Sequence, residues 1–250
     1  MTDPILSVSG LTRRFGALAA VDDMFLDFEF GRTHAVIGPN GAGKTTLINL
    51  LSGDLQPSAG AITFDGHDIT TASPDKVSRL GVGRTYQKTN IFPGDTCFQN
   101  CWLAAQSRLP TSMRFFRSAH RLADVRNRAE RALERCNLQS RADVPAGELS
   151  YGEQRQLEIG MALATEPKVL LLDEPLAGMS AAESADAMAL LNQLAADFTL
   201  ILIEHDMDMV FAFADLITVM VNGQVLETGS PADIRASRAV RDAYLGPECA

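Results

Sequence analysis

The segment Gly38-Pro-Asn-Gly-Ala-Gly43-Lys44-Thr45 constrains this chain more than any other. It fits G-x-x-x-x-G-K-[ST], follows the apolar run Ala35–Ile37 and precedes the helical stretch Thr45–Leu51. A strand, a glycine turn and a helix in that order make a phosphate cradle. Glycines let consecutive backbone N–H groups turn inward as an anion nest. The following helix directs its positive end at the same point. Lys44 reaches the β- and γ-phosphates, and the Thr45 hydroxyl is placed to ligate Mg²⁺. An accidental Gly-rich turn has no reason to match all eight positions and both flanks.

A second segment supplies what the first needs. Val169-Leu-Leu-Leu172 is a strand-length apolar run that ends in Asp173-Glu174. Carboxylates do not belong inside a buried parallel strand, but ligands bind at such a strand's C-terminal end. Asp173 is expected to hold Mg²⁺ through its water shell, and Glu174 to polarise a water in line with the γ-phosphate. Alone, an Asp-Glu at a strand end is ordinary solvation or capping. The pair of motifs specifies a nucleotide-binding P-loop protein without choosing among kinase, GTPase, motor and transporter ATPase.

Around these motifs the chain reads as α/β. The first 66 residues are strand-rich, with alternation at Ile5–Ser9 and Phe25–Phe30, a strand at Ile62–Phe64 and a turn at Asp65-Gly66. Residues 95–166 read as mostly helical. Strands at Lys168–Asp173, Thr199–Glu204 and Leu216–Val221 then alternate with helices at Ala181–Ala196 and Met207–Ala214, which implies a parallel sheet. The helix at 181–196 opens with the capping box Ser180/Glu183 and is expected to face the core with Met188, Leu191 and Ala195.

Charge narrows the class. The net charge of −9 argues against a dedicated nucleic-acid binder. Yet Arg108–Arg141 holds nine arginines and three acids, a local charge of +6. That stretch reads either as a solvated helix with pairs such as Glu130 and Glu134 with Arg131 and Arg135, or as a face toward anionic lipid. No apolar run approaches the ~20 residues of a spanning helix. The N-terminus does not read as a signal peptide, so a cytoplasmic setting is expected. Cys97, Cys101, Cys136 and Cys249 form no zinc pattern and read as reduced structural thiols.

The segment that discriminates is Leu149-Ser150-Tyr151-Gly152-Glu153-Gln154. By itself it is a capping box at a helix start. It also resembles the signature of ABC-type ATPases, usually Leu-Ser-Gly-Gly-Gln, and the rest of that family's set is present in order. Phe15 stands at the adenine-stacking position, Gln87 at the glutamine loop, Asp173-Glu174-Pro175 at the Walker B end, Leu176–Ser180 at the D-loop and His205 at the switch histidine. The resemblance spans Leu6 to Gly246. It departs from the usual pattern at Tyr151, Glu153 and Ser180.

The resemblance implies one ABC ATPase domain over 1–250, with a parallel core sheet and an antiparallel β layer in 1–87 and 168–250, and a helical signature subdomain in 88–167. It implies ATP and Mg²⁺ as cofactors. Nucleotide contacts fall on Phe15, Gly38, Pro39, Asn40, Gly41, Ala42, Gly43, Lys44, Thr45, Thr46, Gln87, Ser150, Gly152 and Glu153. Metal contacts fall on Thr45, Gln87 and Asp173, and catalysis on Glu174 and His205. The segment Lys88–Asn100 would carry motion to membrane partners.

Finer similarity, in Ile203–Met207, Glu174–Gly178 and Ala243–Gly246, is to the ATPases of branched-chain amino-acid importers. Urea and amide importers are similar, and lipopolysaccharide export is the nearest different cargo. Such subunits pair with a second ATPase, as homo- or heterodimer, and with integral membrane permeases. They depend indirectly on a substrate-binding protein, bind no nucleic acid and sit peripherally on the cytoplasmic face of the cell membrane. A soluble ABC ATPase of DNA repair or translation is disfavoured by the single phosphate loop, the lack of a long heptad insertion and the acidic charge. A small-molecule kinase would have no use for the signature set.

Overall fold

Alternating strands and short, continuously apolar ones build two sheets here, and the computed structural model describes them over residues 4–87, 89–109 and 119–245, with backbone alone at 119–122 and 245. The first is antiparallel: β1 (Leu6–Phe15), β2 (Leu18–Phe28), β4 (Ala59–Phe64) and β5 (His67–Asp68), in the order β2-β1-β4-β5. β4 turns into β5 through Asp65-Gly66, whose φ angles of 48° and 76° give the left-handed pair a two-residue hairpin requires.

The second sheet has the order β10-β9-β3-β8-β7-β6. Its members are β3 (Thr33–Ile37), β6 (Val82–Arg84), β7 (Val169–Asp173), β8 (Thr199–Ile203), β9 (Leu216–Val221) and β10 (Gln224–Gly229). All neighbours are parallel except β9–β10. Both faces are buried, as a parallel sheet requires. On one face Val36, Leu171 and Ile203 meet α1 (Lys44–Leu51) and the antiparallel sheet. On the other, Ile37, Leu172 and Leu202 meet α6 (Ala181–Ala195), α7 (Met207–Phe213) and the helices that precede β7.

Those helices are α3 (Cys97–Gln106), α4 (Ala119–Arg135) and α5 (Tyr151–Leu163), with 3₁₀ turns at Gln139–Arg141 and Ala146–Glu148. The short α2 (Pro74–Leu80) leads into β6, and α8 (Pro231–Ala236), α9 (Arg238–Val240) and a π-helical turn at Arg241–Leu245 end the described chain. Gly160 lets α5 sit against Cys101 and Cys136, where a Cβ would stand 3.5 and 3.3 Å from their sulfurs. Cys97, Cys101 and Cys136 are buried free thiols.

Several expectations need correction. The core face of α6 is Ala187, Leu190, Leu191 and Leu194; Met188 and Ala195 are only partly buried beside it. The strands β6 and β10 were not expected. β6 has three residues, too few for a period, and β10 is an edge strand whose Asn222-Gly223 turn is its sequence signal. The arginines of α4 pair elsewhere than expected: Arg126 with Glu130, Arg128 and Arg131 with Glu166, and Arg135 with Asp197. Neighbours in sequence do not face one another on a helix, which excludes Glu130–Arg131 and Glu134–Arg135. Arg114 and Arg117 lie outside the described residues, as do Lys88 and Gly246.

His34 on β3 is 1 % exposed, and its Nε2 accepts the Glu29 N–H at 3.0 Å while Nδ1 has no partner. Burial lowers its pKa from 6.5 to about 4, so the folded chain holds it neutral. The unfolded chain takes up its proton first as pH falls. Stability should therefore drop between pH 6.5 and about 4, by about 3 kcal/mol from this group. His34→Gln, which keeps an acceptor, should flatten that part of the urea-midpoint profile; parallel profiles would clear His34.

Candidate functional site

Four adjacent strands end at one edge of the parallel sheet. β3 runs into Gly38, β8 into Glu204-His205, β7 into Asp173-Glu174 and β6 into Arg84 and the chain up to Gln87. The register sets Val36 against Ile203, and Ile203 against Asp173. Segments far apart in sequence thereby deliver their side chains side by side.

The phosphate loop is held by its glycines. Gly38 has φ 149° and Gly43 has φ 100°. A Cβ on either would lie 2.1 Å from a carbonyl oxygen, that of Met220 and that of Ala20 respectively. α1 starts at Gly43 with no side-chain cap and no acid in its first turn, which leaves its N-terminal N–H groups facing an anion site. Lys44 donates from Nζ to the carbonyls of Gly38 (2.6 Å) and Pro39 (3.1 Å). Burial lowers the Lys44 pKa, and the nearby Glu174 and Asp173 oppose that shift.

The acids form the opposite wall. Asp173 is 3 % exposed and its pKa is raised, mainly by burial. Arg84 works against that shift with Nη2 at 3.7 Å from Asp173 Oδ2, while Nη1 donates to Asp54 Oδ2 and Ser52 Oγ, both at 2.6 Å. Its guanidinium also stacks 4.5 Å from the centre of the Tyr86 ring. Glu174 adopts φ 48°, a left-handed conformation unusual for a side-chain-bearing residue, with its N–H on the Ile203 carbonyl. Gln87 donates from Nε2 to Glu174 Oε2 at 3.2 Å. His205 Nδ1 stands 3.9 Å from Glu174 Oε1 and 3.7 Å from Glu204 Oε2. Glu204 is buried, accepts the N–H groups of Leu176 and His205, and has its pKa raised by burial. Gln87, Glu174 and His205 are thus brought together. Glu204, Arg84 and Asp54 belong to the same neighbourhood, although the sequence pattern assigns none of them a role there.

Two expected contributors lie farther along the surface. Phe15 ends β1, 46 % exposed as a residue, with the Arg13 guanidinium 4.8 Å from its ring centre. It shares the β1–β2 pair with Ala20, whose carbonyl packs under Gly43. Ser150 caps α5 in a capping box with Glu153, and Glu153 pairs with Arg141 at 3.0 Å. The Gly152 N–H donates to Glu183 Oε1 at 2.9 Å. The Tyr151 hydroxyl donates to the Ala177 carbonyl at 3.2 Å, and Ser180 caps α6. Among the described residues, hydrogen bonds of Ser150–Gln154 beyond their own helix start reach Ala177, Glu183 and Arg141, and none reaches 38–46.

Residues 21–177 match the family model described as ABC transporter. The chain belongs to the ABC transporter family. As an ABC ATPase it binds nucleotide. Residues 224–246 of this cassette match a second model, described as branched-chain amino acid ATP-binding cassette transporter. The cassette is 41 % identical to the high-affinity branched-chain amino acid transport ATP-binding protein BraF of Pseudomonas aeruginosa, covering 98 % of this chain and 99 % of that one. It is 37 % identical to LivG of Escherichia coli K12 over the same shares. Among solved structures, the ADP conformation of the cassette MJ1267 superposes with a TM-score of 0.84 at 30 % identity, over 98 % of this chain and all of that one. CbiO1 of Clostridium perfringens, part of the cbiONQ transporter complex, gives 0.81 at 29 % identity over 96 % and 94 %. Among the described residues no helix is long and apolar enough to cross a membrane.

Because Lys44 bonds only to carbonyls of its own loop in the free chain, Lys44→Ala should leave the melting temperature of the free chain nearly unchanged. Its charge-assisted bonds to phosphate, about 2–3 kcal/mol, should be lost, so nucleotide affinity should fall by about 10²-fold. The nucleotide-dependent rise in melting temperature measures both.

Proposed function

We propose that this cassette is the ATP-hydrolysing subunit of a membrane importer of branched-chain amino acids. The observation that carries the assignment is the 41 % and 37 % identity, over nearly the whole of each chain, to relatives named for that transport. The match of 224–246 to the branched-chain cassette model supports the same cargo. On this reading the chain is a single cassette domain, with 88–167 its helical subdomain. It sits peripherally on the cytoplasmic face of the cell membrane, with a second ATPase subunit and integral permeases as partners and a substrate-binding protein acting through them.

The site supports the following division of work. Phe15 offers a face for adenine, and the N–H groups of 38–46 with Lys44 take the phosphates. The oxygen donors of Thr45, Gln87 and Asp173 fit Mg²⁺, which favours hard oxygen ligands, few protein carboxylates and the substrate's own phosphates; bound there, it would neutralise phosphate charge. Arg84 keeps Asp173 nearer its ionised form in a buried place. Glu174, fixed by its strained backbone and touched by Gln87 and His205, takes the proton of the attacking water. His205 holds that water and the γ-phosphate.

The signature serves the nucleotide of the facing subunit. Support comes from its hydrogen bonds, which run to the D-loop side and not to its own phosphate loop. An anion site at a helix start needs an anion, and Glu183 provides one in the single chain. Closure would exchange the Glu183 carboxylate for a partner's phosphate at Gly152. The groove beside Gly83, Tyr86, Asn90 and Ala104, together with the exposed Phe92, offers a surface for a permease.

Glu174→Gln should retain ATP binding and lose about 10²-fold or more in turnover, measured as steady-state hydrolysis beside nucleotide affinity. Near-normal turnover would remove Glu174 from the role. In the assembled complex with a distinct partner, Ser150→Arg should abolish hydrolysis when combined with Lys44→Ala in this subunit. It should add little to the corresponding lysine change in the partner. The reverse pattern would place Ser150 over its own nucleotide.

A further inference from the structure

Arg155 and Glu158 lie one turn apart on α5, 3 % and 4 % exposed. Their ion pair, 3.1 Å between Nη1 and Oε2, is enclosed in the protein. A buried ion pair is weak evidence for stability, since apolar side chains of similar volume commonly serve a core as well. What this pair does is geometric. Glu158 Oε1 accepts the Tyr86 N–H at 2.9 Å. Arg155 Nη1 donates to the Tyr86 carbonyl at 2.6 Å, and Nη2 donates to the Gln87 carbonyl. Three main-chain groups of the two neighbouring residues Tyr86 and Gln87, at the base of the glutamine loop, are therefore held by side chains of the signature helix.

The line of contacts continues in both directions. Beyond the Gln87 backbone, its amide reaches Glu174 Oε2 at 3.2 Å. Up α5, Arg155 stands three residues from Gly152 and five from Ser150, within one rigid helix. We propose that Arg155 and Glu158 are positioning residues for hydrolysis: they clip Gln87 to the signature helix, so that any rotation of α5 moves the Gln87 side chain against Glu174. This rests on the reading above that Gln87 and Glu174 act on nucleotide. The planar fork of an arginine suits the task, because two carbonyls and a carboxylate are gripped at once; a lysine ammonium cannot reproduce that spread.

The test is a double-mutant cycle in the full-length chain with saturating Mg·ATP. Arg155→Lys should lower kcat about tenfold and change nucleotide affinity less than twofold. In a Gln87→Ala background the same change should alter kcat less than twofold, since the residue it positions is gone. Equal effects in both backgrounds would make the pair merely structural and overturn the proposal. Should Arg155→Lys not fold, the apolar replacement Arg155→Met with Glu158→Leu removes the clip without leaving a lone buried charge, and the same cycle is run with it. Wild-type kcat in that folded double variant also overturns the proposal. Glu174→Gln in the same assay separates the two levels. If it too hydrolyses like the wild type, the reading of the site has failed and the clip falls with it. If it shows its expected loss while the cycle is additive, only the clip is wrong.

Discussion

The hydrogen-bond register of the parallel sheet is the constraint on which the rest depends. Neighbouring strands lie about 4.8 Å apart. With Val36 opposite Ile203 and Ile203 opposite Asp173, the residues that follow β3, β8 and β7 must emerge in a row. A slip of one residue in any strand would turn its apolar set to the wrong face, and both faces are filled. Burial of Leu170, Leu171, Leu172, Leu200 and Leu202 thereby fixes where Glu174 and His205 stand. The loop at Gly38 obeys the same logic from the other side, because the Met220 carbonyl of β9 occupies the space any Cβ would need.

Crowding acids at such an edge has an electrostatic consequence. Asp173, Glu158 and Glu204 are all buried, and burial raises the pKa of each. Each has a compensating partner: Arg84 for Asp173, Arg155 for Glu158, and the N–H groups of Leu176 and His205 for Glu204. The arrangement keeps negative charge available beside a loop built for anions. For Asp173 and Glu158 the compensating cations are arginines, which stay charged when buried. Lys44, across from these acids, has its own pKa lowered by burial.

What could be read from the chain follows from how local each feature is. The phosphate loop, the acids after β7 and the capping boxes Ser150/Glu153 and Ser180/Glu183 each lie within a few residues, and each is formed. Gly152 with Glu183 spans 31 residues, and Arg84 with Asp54 spans 30; no periodicity or spacing rule reports such pairs. The face of α6 was legible in part: Leu191 is buried with Met188 and Ala195 packed beside it, while Ala187, Leu190 and Leu194 complete a stripe that the helix's many alanines make broad. Of the α4 arginines, Arg126 pairs at i,i+4 spacing, but Arg128, Arg131 and Arg135 could not be assigned from sequence. Their partners Glu166 and Asp197 come from the chain on either side of β7 and α6, brought near by the packing of α4 on α5.

Three of the groups proposed to meet nucleotide already have partners within the free chain. Lys44 holds the carbonyls of Gly38 and Pro39, Gln87 holds Glu174, and Gly152 holds Glu183. On the proposed reading, nucleotide exchanges hydrogen bonds at these points instead of adding them, so the net gain at each is the difference between two similar contacts. Binding energy is thereby directed into rearrangement. Freeing Gly152 releases Glu183 on α6, and drawing Gln87 away from Glu174 pulls on the main chain that α5 grips. A ligand shifts a conformational equilibrium only by its difference in affinity for the two states. Internal partners that the ligand must replace create such a difference. They link occupation of the phosphate loop to the position of the helical face that a second subunit would meet.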